Sequence, residues 1–297
     1  MKKPILGIDI GGTKIFHALV DTEGKILTDV KKELTPSSVN DIENLLKEII
    51  NFYENETNIM GIATAGAVNN ENDKILSSTA NLPCGYSDID FKNLNNNVEI
   101  FIENDANAAA WAEHKTGVTK GYNNSIVLTL GTGVGSGIII NNNLLKGKSG
   151  AAGEMHFKMS TENKRLCTCG AYDCFEAYVS GRGLKLTYKD IAGIDLSTYE
   201  IIARCNKNEK EAVLALKKWN EYIAMGALGL NNIFDTDIIA FTGSMAQFAD
   251  MEFIEKYVNK YTLTTPLKTA HAKAGNYSGL IGAALIAYEK TEQIQFL

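Results

Sequence analysis

Proline is scarce in this 297-residue chain: there are four, and none of them forms a Pro-rich linker. Basic charge is also short, with 29 Lys and Arg against 35 Asp and Glu and a net charge of −6. Surfaces that track nucleic-acid phosphates are usually basic, so a polyanion partner is not expected. A long apolar run is missing too. The longest uncharged stretch, Gly121 to Leu145, could span a bilayer by length, but it holds five Gly and five Asn and its apolar residues form two short blocks. The apolar residues after Met1-Lys2-Lys3 are interrupted by Asp9, Gly11 and Gly12 too early for a signal-peptide core. A cytoplasmic protein with no membrane partner is therefore expected. Cysteine is the last shortage. Of five, an odd number, Cys167, Cys169 and Cys174 crowd into eight residues. In a cytosolic chain such crowding favours a metal site over a disulfide framework.

What the chain does have is apolar bulk. A hydrophobic content of 45% excludes wholesale disorder. A chain of this length buries about three-quarters of its unfolded surface, enough for two domains or one duplicated architecture. Ile5–Ile10, Ile15–Val20 and Lys25–Leu27 are predicted strands, joined by the glycine turn Gly11–Lys14 and the turn Asp21–Gly24. An amphipathic helix follows, with Ile42, Leu45, Leu46, Ile49 and Phe52 on one face and Asn40 or Asp41 as cap. Strands are predicted at Ile59–Ala63 and Val98–Ile102, the second running into Asn104-Asp105 and an Ala-rich helix, Ala106–His114. About 120 residues on, the opening pattern returns: strand Ser125–Leu130, glycine turn Gly131–Gly137, strand Ile138–Ile140, turn Asn141–Asn143 and a strand from Leu144. This repetition points to a duplicated α/β fold. Helices are expected at Cys174–Tyr188, Ser197–Cys205, Glu209–Asn232, Asp250–Tyr261 and Ser278–Lys290, with a strand at Asp237–Phe241 before Thr242-Gly243-Ser244.

Several segments carry candidate chemistry. Gly11 and Gly12 let backbone N–H groups approach phosphate oxygens, Thr13 and Lys14 add a hydroxyl and a cation, and Asp9 is placed to hold Mg²⁺ directly or through water. An Asp inside an apolar strand is costly unless it is used. The second turn, Gly131-Thr132-Gly133, is not a dinucleotide fingerprint, because Ile138-Ile139-Ile140 favours a strand where that unit needs a helix. Two glycine turns facing one cleft suit a nucleoside triphosphate instead. Asn104-Asp105 is both a good helix cap and a carboxylate at a strand's C-terminal end, and the two roles are compatible. His156, Cys167, Cys169 and Cys174, spaced H-x10-C-x-C-x4-C, form a Cys₃His set suited to structural Zn²⁺. Glu154 and Glu176 flank it; they either face a polyhydroxy ligand or are solvated surface acids.

Taken together, Asp9–Lys14 (DIGGTK), Glu103–Ala110 (ENDANAAA), Leu130–Gly137 (LGTGVGSG), Gly150–Glu154 (GAAGE), Cys167–Glu176 (CTCGAYDCFE) and Ser180–Gly183 (SGRG) resemble the ROK group of bacterial sugar kinases and repressors. The resemblance covers essentially the whole chain. It implies a duplicated ribonuclease-H-like α/β fold of the actin/hexokinase/Hsp70 type. Its two lobes would be residues 1–117 with the C-terminal helix 278–297, and residues 118–277 with the zinc loop. It also implies Mg-ATP-dependent phosphorylation of a hexose 6-hydroxyl. By the resemblance Asp105 is the general base, and Asn104, Glu154, His156 and Glu176 bind sugar hydroxyls, with Gly66 and Asn81 closing the sugar pocket. Asp9–Lys14 and Gly131–Gly133 hold phosphate, Gly243-Ser244 takes the adenosine, and His156 with the three cysteines takes structural zinc. A homo-oligomer, dimer or tetramer, is implied as well.

Three departures bear on the site. One residue of the family pattern is missing in Glu154-Met155-His156, so a helical segment could not keep both side chains on one face. Asp173 stands where the zinc loop usually has Gly, and Asp is among the residues that tolerate positive φ. Ala63-Thr64-Ala65-Gly66 lacks the proline common in glucokinase-like members; with Ala110-Trp111-Ala112-Glu113, this leans the sugar toward N-acetylmannosamine over glucose. N-acetylglucosamine and fructose stay open. The rivals are a sugar-sensing protein without catalysis and a repressor. The latter would need a helix-turn-helix before the first glycine turn, only nine residues from Met1.

Overall fold

The computed structural model describes residues 3–78, 81–162, 164–263 and 266–295; the outer limits of the first expected lobe, 1 and 297, lie outside them. β1 (Ile5–Ile10) and β2 (Lys14–Val20) pair antiparallel about the first glycine turn, with Ile10 opposite Ile15. The strand expected at Lys25–Leu27 is reduced to a single bridge, Val20 with Ile26, and β3 (Lys31–Leu34) pairs with β2 instead. Side chains explain the displacement. Asp21 Oδ1 accepts from Glu23 N and Lys25 N, and Thr28 Oγ1 takes the Leu19 N–H that a ladder would have used.

α1 (Val39–Tyr53) is capped by Ser38, whose Oγ accepts from Asp41 N at 3.2 Å, not by Asn40 or Asp41. Its buried face is Ile42, Leu46, Ile49, Ile50 and Tyr53, while Phe52 turns outward. β4 (Ile59–Thr64), the hairpin β5 (Ala67–Val68) and β6 (Ile75–Ser77), and β7 (Glu99–Asn104) follow. The first sheet has the order β3-β2-β1-β4-β7, and β4 and β7 run parallel to β1. α2 (Asp105–Thr116) leaves β7 without a loop.

The second half repeats this plan. β8 (Ser125–Leu130), β9 (Val134–Ile140) and β10 (Asn143–Leu144) are joined by β11 (Ile238–Thr242) and β12 (Lys268–His271) in the order β10-β9-β8-β11-β12. Three antiparallel strands extended by two parallel ones thus occur twice, as the repeated sequence pattern predicts. The second glycine turn is shorter than expected. The strand resumes at Val134, so Gly135 and Gly137 lie within β9, where their bare backbone admits α2: a Cβ at Gly137 would stand 2.3 Å from Ala110 Cβ.

Six helices complete the described chain: α3 (Glu176–Val179), α4 (Gly181–Ala192), α5 (Thr198–Asn206), α6 (Lys210–Phe234), α7 (Met251–Tyr261) and α8 (Ser278–Gln295). The single helix expected over 174–188 breaks at Ser180, which is extended and caps α4 by accepting from Gly183 N at 3.1 Å. Phe175, Leu184, Trp219 and Phe241 lie in one apolar core with the second sheet, and Ile8, Leu46, Ile62 and Phe91 in another with the first. α8 returns to the first sheet and to α2, packing Leu280, Ala284 and Leu285 around Ile5, Val20 and Trp111. No helix among the described residues is long and apolar enough to cross a membrane.

Candidate active site

Asn104 ends β7 and Asp105 begins α2, so the first sheet sets both residues directly. Asn104 Oδ1 accepts from Ala106 N and Asn107 N, each at 3.0 Å, satisfying two of the helix's orphan donors. Its Nδ2 donates to Gly66 O at 3.0 Å. The cap therefore also ties down the turn after β4, where Gly66 has φ +109° and any side chain would strike Ser77 O. Asp105 Oδ1 accepts from Ala106 N at 2.8 Å. Asp105 is exposed, yet protein atoms crowd the space around its carboxylate. The loss of hydration pushes its pKa up to about 6; the Ala106 N–H pulls the other way and the charge of Glu154 adds to the rise.

Asp9, half-buried near the end of β1, is raised further, to about 7, by burial first and by the charge of Asp105 second. Its carboxylate rests on the first turn of α8, where a Cβ at Gly279 would stand 2.6 Å from Oδ2. The first glycine turn is closed by Gly11 N donating to Lys14 O at 3.0 Å and leaves Gly12, Thr13 and Lys14 exposed. Asn81 packs against it: a Cβ at Gly12 would lie 2.9 Å from Asn81 Cβ.

The second turn is closed by Gly131 N donating to Gly133 O at 3.0 Å, with Thr132 exposed at its tip. Gly181 N, opening α4, donates to Gly131 O at 2.8 Å, and Met245 N donates to Leu130 O at 2.9 Å. Gly243, at φ +91°, sits so close to Leu130 that no side chain fits, which brings Gly243-Ser244 alongside Gly131. Glu176 proves not to be a solvated acid. It is buried, with Oε2 accepting from Val134 N at 3.1 Å and Oε1 accepting from Thr168 Oγ1 and, at 3.5 Å, from Cys167 Sγ. It joins the second glycine turn to the cysteine loop.

The segment carrying Glu154 and His156 is not helical, which removes the difficulty of the missing residue. Phe175 N donates to Phe157 O and Met159 N to Asp173 O, both at 2.8 Å, so this stretch pairs like a strand with the cysteine loop. In extended backbone i and i+2 share a side. Met155 accordingly turns inward at 4% exposure, while His156 Nδ1 and Glu154 Oε2 stand 3.8 Å apart on the open side. His156, Cys167 and Cys169 offer ligand atoms all within 4.8 Å of one another, and Cys174 Sγ lies 3.6 Å from Cys169 Sγ. The trio of His156, Cys167 and Cys169, with Cys174 beside Cys169, has the ligand chemistry that suits a structural zinc ion. Asp173 does adopt the left-handed backbone, φ +58°, and its buried carboxylate accepts from Arg165 N and Tyr178 Oη, both at 2.9 Å.

The structure thus brings Asp9, Asn104, Asp105 and Glu154 together, gathers the cysteine loop beside His156, and leaves Gly243-Ser244 at the second turn. Gly279 has no local signal beyond a Ser-Gly pair ahead of a run of small apolar residues. Thr129 has none either. Its Oγ1 accepts from Gly135 N at 3.0 Å and shapes the strand after the second turn.

The ROK family profile matches residues 5–290. A glucokinase of Streptomyces coelicolor is 31% identical over 96% of this chain and 97% of its own. An N-acetylmannosamine kinase of Haemophilus influenzae is 29% identical over 94% of this chain and 93% of its own. A xylose repressor of Bacillus subtilis is 30% identical over 82% of this chain but 64% of its own. Among solved structures, a ROK glucokinase from Streptomyces griseus in complex with glucose and AMPPNP superimposes with a TM-score of 0.79 at 28% identity, covering 96% of this chain and 99% of the other. A ROK hexokinase from Thermus thermophilus does so with a TM-score of 0.86 at 27% identity, over 98% and 99%. The two matching sheets are therefore those of the actin/hexokinase-type fold, and the chain belongs to the ROK family.

Proposed function

We propose that the chain is an ATP-dependent sugar kinase that phosphorylates the 6-hydroxyl of a hexose or N-acetylhexosamine, with N-acetylmannosamine or glucose as substrate. The observation that carries this is the corner where β7 meets α2: it sets Asp105 beside Asn104, which is tied to Gly66, and Asp9 and Glu154 lie close enough for their charges to add to a pKa rise that burial dominates. Such crowding of acids is unfavourable in the empty protein and becomes useful when a cation and an ionising hydroxyl enter. Asp105 accepts the proton of the 6-hydroxyl as its oxygen bonds to the γ-phosphorus and the bond to the β-phosphate oxygen breaks, releasing ADP. Asp9 would hold Mg²⁺, which would offset the charge on the phosphates. Gly11, Gly12, Thr13 and Lys14 face the phosphates from one side and Gly131, Thr132 and Gly133 from the other, with Gly243 and Ser244 against the adenosine. Asn104, Glu154, His156 and Glu176 take the sugar hydroxyls, and Gly66 and Asn81 close that pocket.

His156, Cys167, Cys169 and Cys174 would hold zinc, which when bound braces the loop without entering the reaction. His156 serves the metal first. The protein works in the cytoplasm as a dimer or tetramer, which light scattering after gel filtration tests.

The deciding experiment is ADP release from Mg-ATP with N-acetylmannosamine, glucose, N-acetylglucosamine and fructose, against a no-sugar control. One sugar driving turnover well above the control names the substrate. The second reading, sugar sensing without catalysis, draws on the xylose repressor likeness. It predicts that a sugar raises the melting temperature while ADP release stays at the control level.

A further inference from the structure

Glu103 is 1% exposed and stands immediately before Asn104-Asp105. Its side chain is fully engaged. Oε1 accepts from Asn104 N at 2.9 Å and from Asn107 Nδ2 at 3.1 Å; Oε2 accepts from Asn72 Nδ2 at 2.8 Å and from Lys146 Nζ at 2.9 Å. Asn72, fully buried and left-handed at φ +62°, also donates to Ile102 O at 2.8 Å. Lys146 comes from the other half, two residues after β10, and it also donates to Asn69 O at 2.9 Å. The chain beyond Lys146 stays on the first half: Asn70 Nδ2 donates to Gly147 O and Lys148 O at 3.1 Å, and Gly150 packs so tightly on Val68 O that a Cβ would overlap it. Four residues further on is Glu154.

We propose that Glu103 and Lys146 are positioning residues for the phosphoryl transfer: one buried ion pair across the two halves fixes both the Asn104-Asp105 corner and the arm that carries Glu154. This rests on the kinase reading. A buried ion pair is a poor way to gain stability, since apolar residues of similar size do as well or better. What it supplies is a single geometry, because the carboxylate is satisfied only when Asn104 N, Asn107, Asn72 and Lys146 all converge on it. Misplacing a catalytic base by about 1 Å costs on the order of 10²-fold in rate.

The test compares wild type, Lys146→Met, Lys146→Arg and the double variant Glu103→Gln/Lys146→Met by ADP release with the preferred sugar, alongside thermal melting. The double variant guards against misfolding, because the amide keeps the acceptor for Asn104 N without leaving a bare charge buried. Folded Lys146→Met, or the double variant where the single one does not fold, should lose about 10- to 10²-fold in kcat and gain in KM for the sugar. KM for ATP should stay within about threefold, and Lys146→Arg should recover most of kcat. A folded Lys146→Met or double variant within about twofold of wild-type kcat overturns the proposal, as does a loss that Lys146→Arg fails to recover or one matched by KM for ATP. Wild type inactive with every sugar removes the kinase reading, and the proposal with it.

Discussion

At the residue scale, two carboxylates are held where neither ionises comfortably. For Asp9 the folded-state pKa, about 7, lies above its ordinary value of 3.8, so folding favours the protonated form. The stabilisation this brings is complete below pH 3.8 and lost as pH rises through about 7. At pH 8 the ligand-free protein is thus strained by its own charge, and Asp9→Asn should raise its stability by about 1 kcal/mol, a figure reduced for solvent screening at the open cleft. By pH 4 the advantage should vanish; equal melting temperatures for the two proteins at pH 8 would contradict it. Asp105 bears on rate instead. Asp105→Asn should still bind sugar by calorimetry and lose at least about 10²-fold in turnover. With its carboxylate raised to about 6, sugar-dependent ADP release should climb with pH through that value, and a flat profile from pH 5 to 8 would remove Asp105 as the base.

At the scale of single elements, β2 and the cysteine loop each carry a test. His17 on β2 is buried, its Nδ1 lies 3.3 Å from Tyr53 Oη, and burial followed by the charge of Lys31 lowers its pKa to about 4. Here the sign is opposite to that of Asp9. The stability is full above the ordinary value of 6.5 and lost as pH falls toward 4. His17→Phe, packed against Tyr53, should flatten the loss of stability between those two values in urea titrations. The cysteine loop should carry about one zinc per chain, and Cys169→Ala should lose both the metal and thermal stability. Metal analysis of freshly purified protein that finds none would remove zinc from the description. Since Glu176 bonds to Thr168 and to Val134 N, metal loss should also weaken nucleotide affinity, measurable with a fluorescent ATP analogue.

At the scale of the whole molecule, α8 is fastened to the first sheet and to α2 through contacts too close for side chains. A Cβ at Gly282 would stand 1.7 Å from Ala108 O, and one at Gly61 2.0 Å from Ala283 O. α2 and α8 can approach the sheets only because these positions are glycine and their neighbours alanine. Gly282→Ala should therefore force α8 off α2 and cost about 1–3 kcal/mol by overpacking. Because α8 also abuts Asp9 through Gly279, the same variant should lower turnover, whereas a mutation on an exposed face of α6 should do neither.

Strands, helices and the duplication were legible in the sequence because each rests on local periodicity and on glycine turns flanked by apolar runs. Asp9, Asp105 and the cysteine cluster stood out for a similar reason: an acid in an apolar strand, a cap at a strand's end and three thiols in eight residues are local anomalies. Boundaries failed where a side chain competed with the backbone, as Asp21 and Thr28 did for the third strand and Ser180 for the helix expected over 174–188. Glu154 and His156 could be placed on one side only once Phe157 and Met159 were seen to pair with the cysteine loop, a contact between residues distant enough that no periodicity records it. The pairing of Glu103 with Lys146 is of the same kind. The chain's chemistry, then, was set by which residues it carries. Their alignment was decided by the tertiary structure, because the Glu103–Lys146 ion pair between the halves and the pairing of Phe157 and Met159 with the cysteine loop depend on distance in space and not on spacing in the chain.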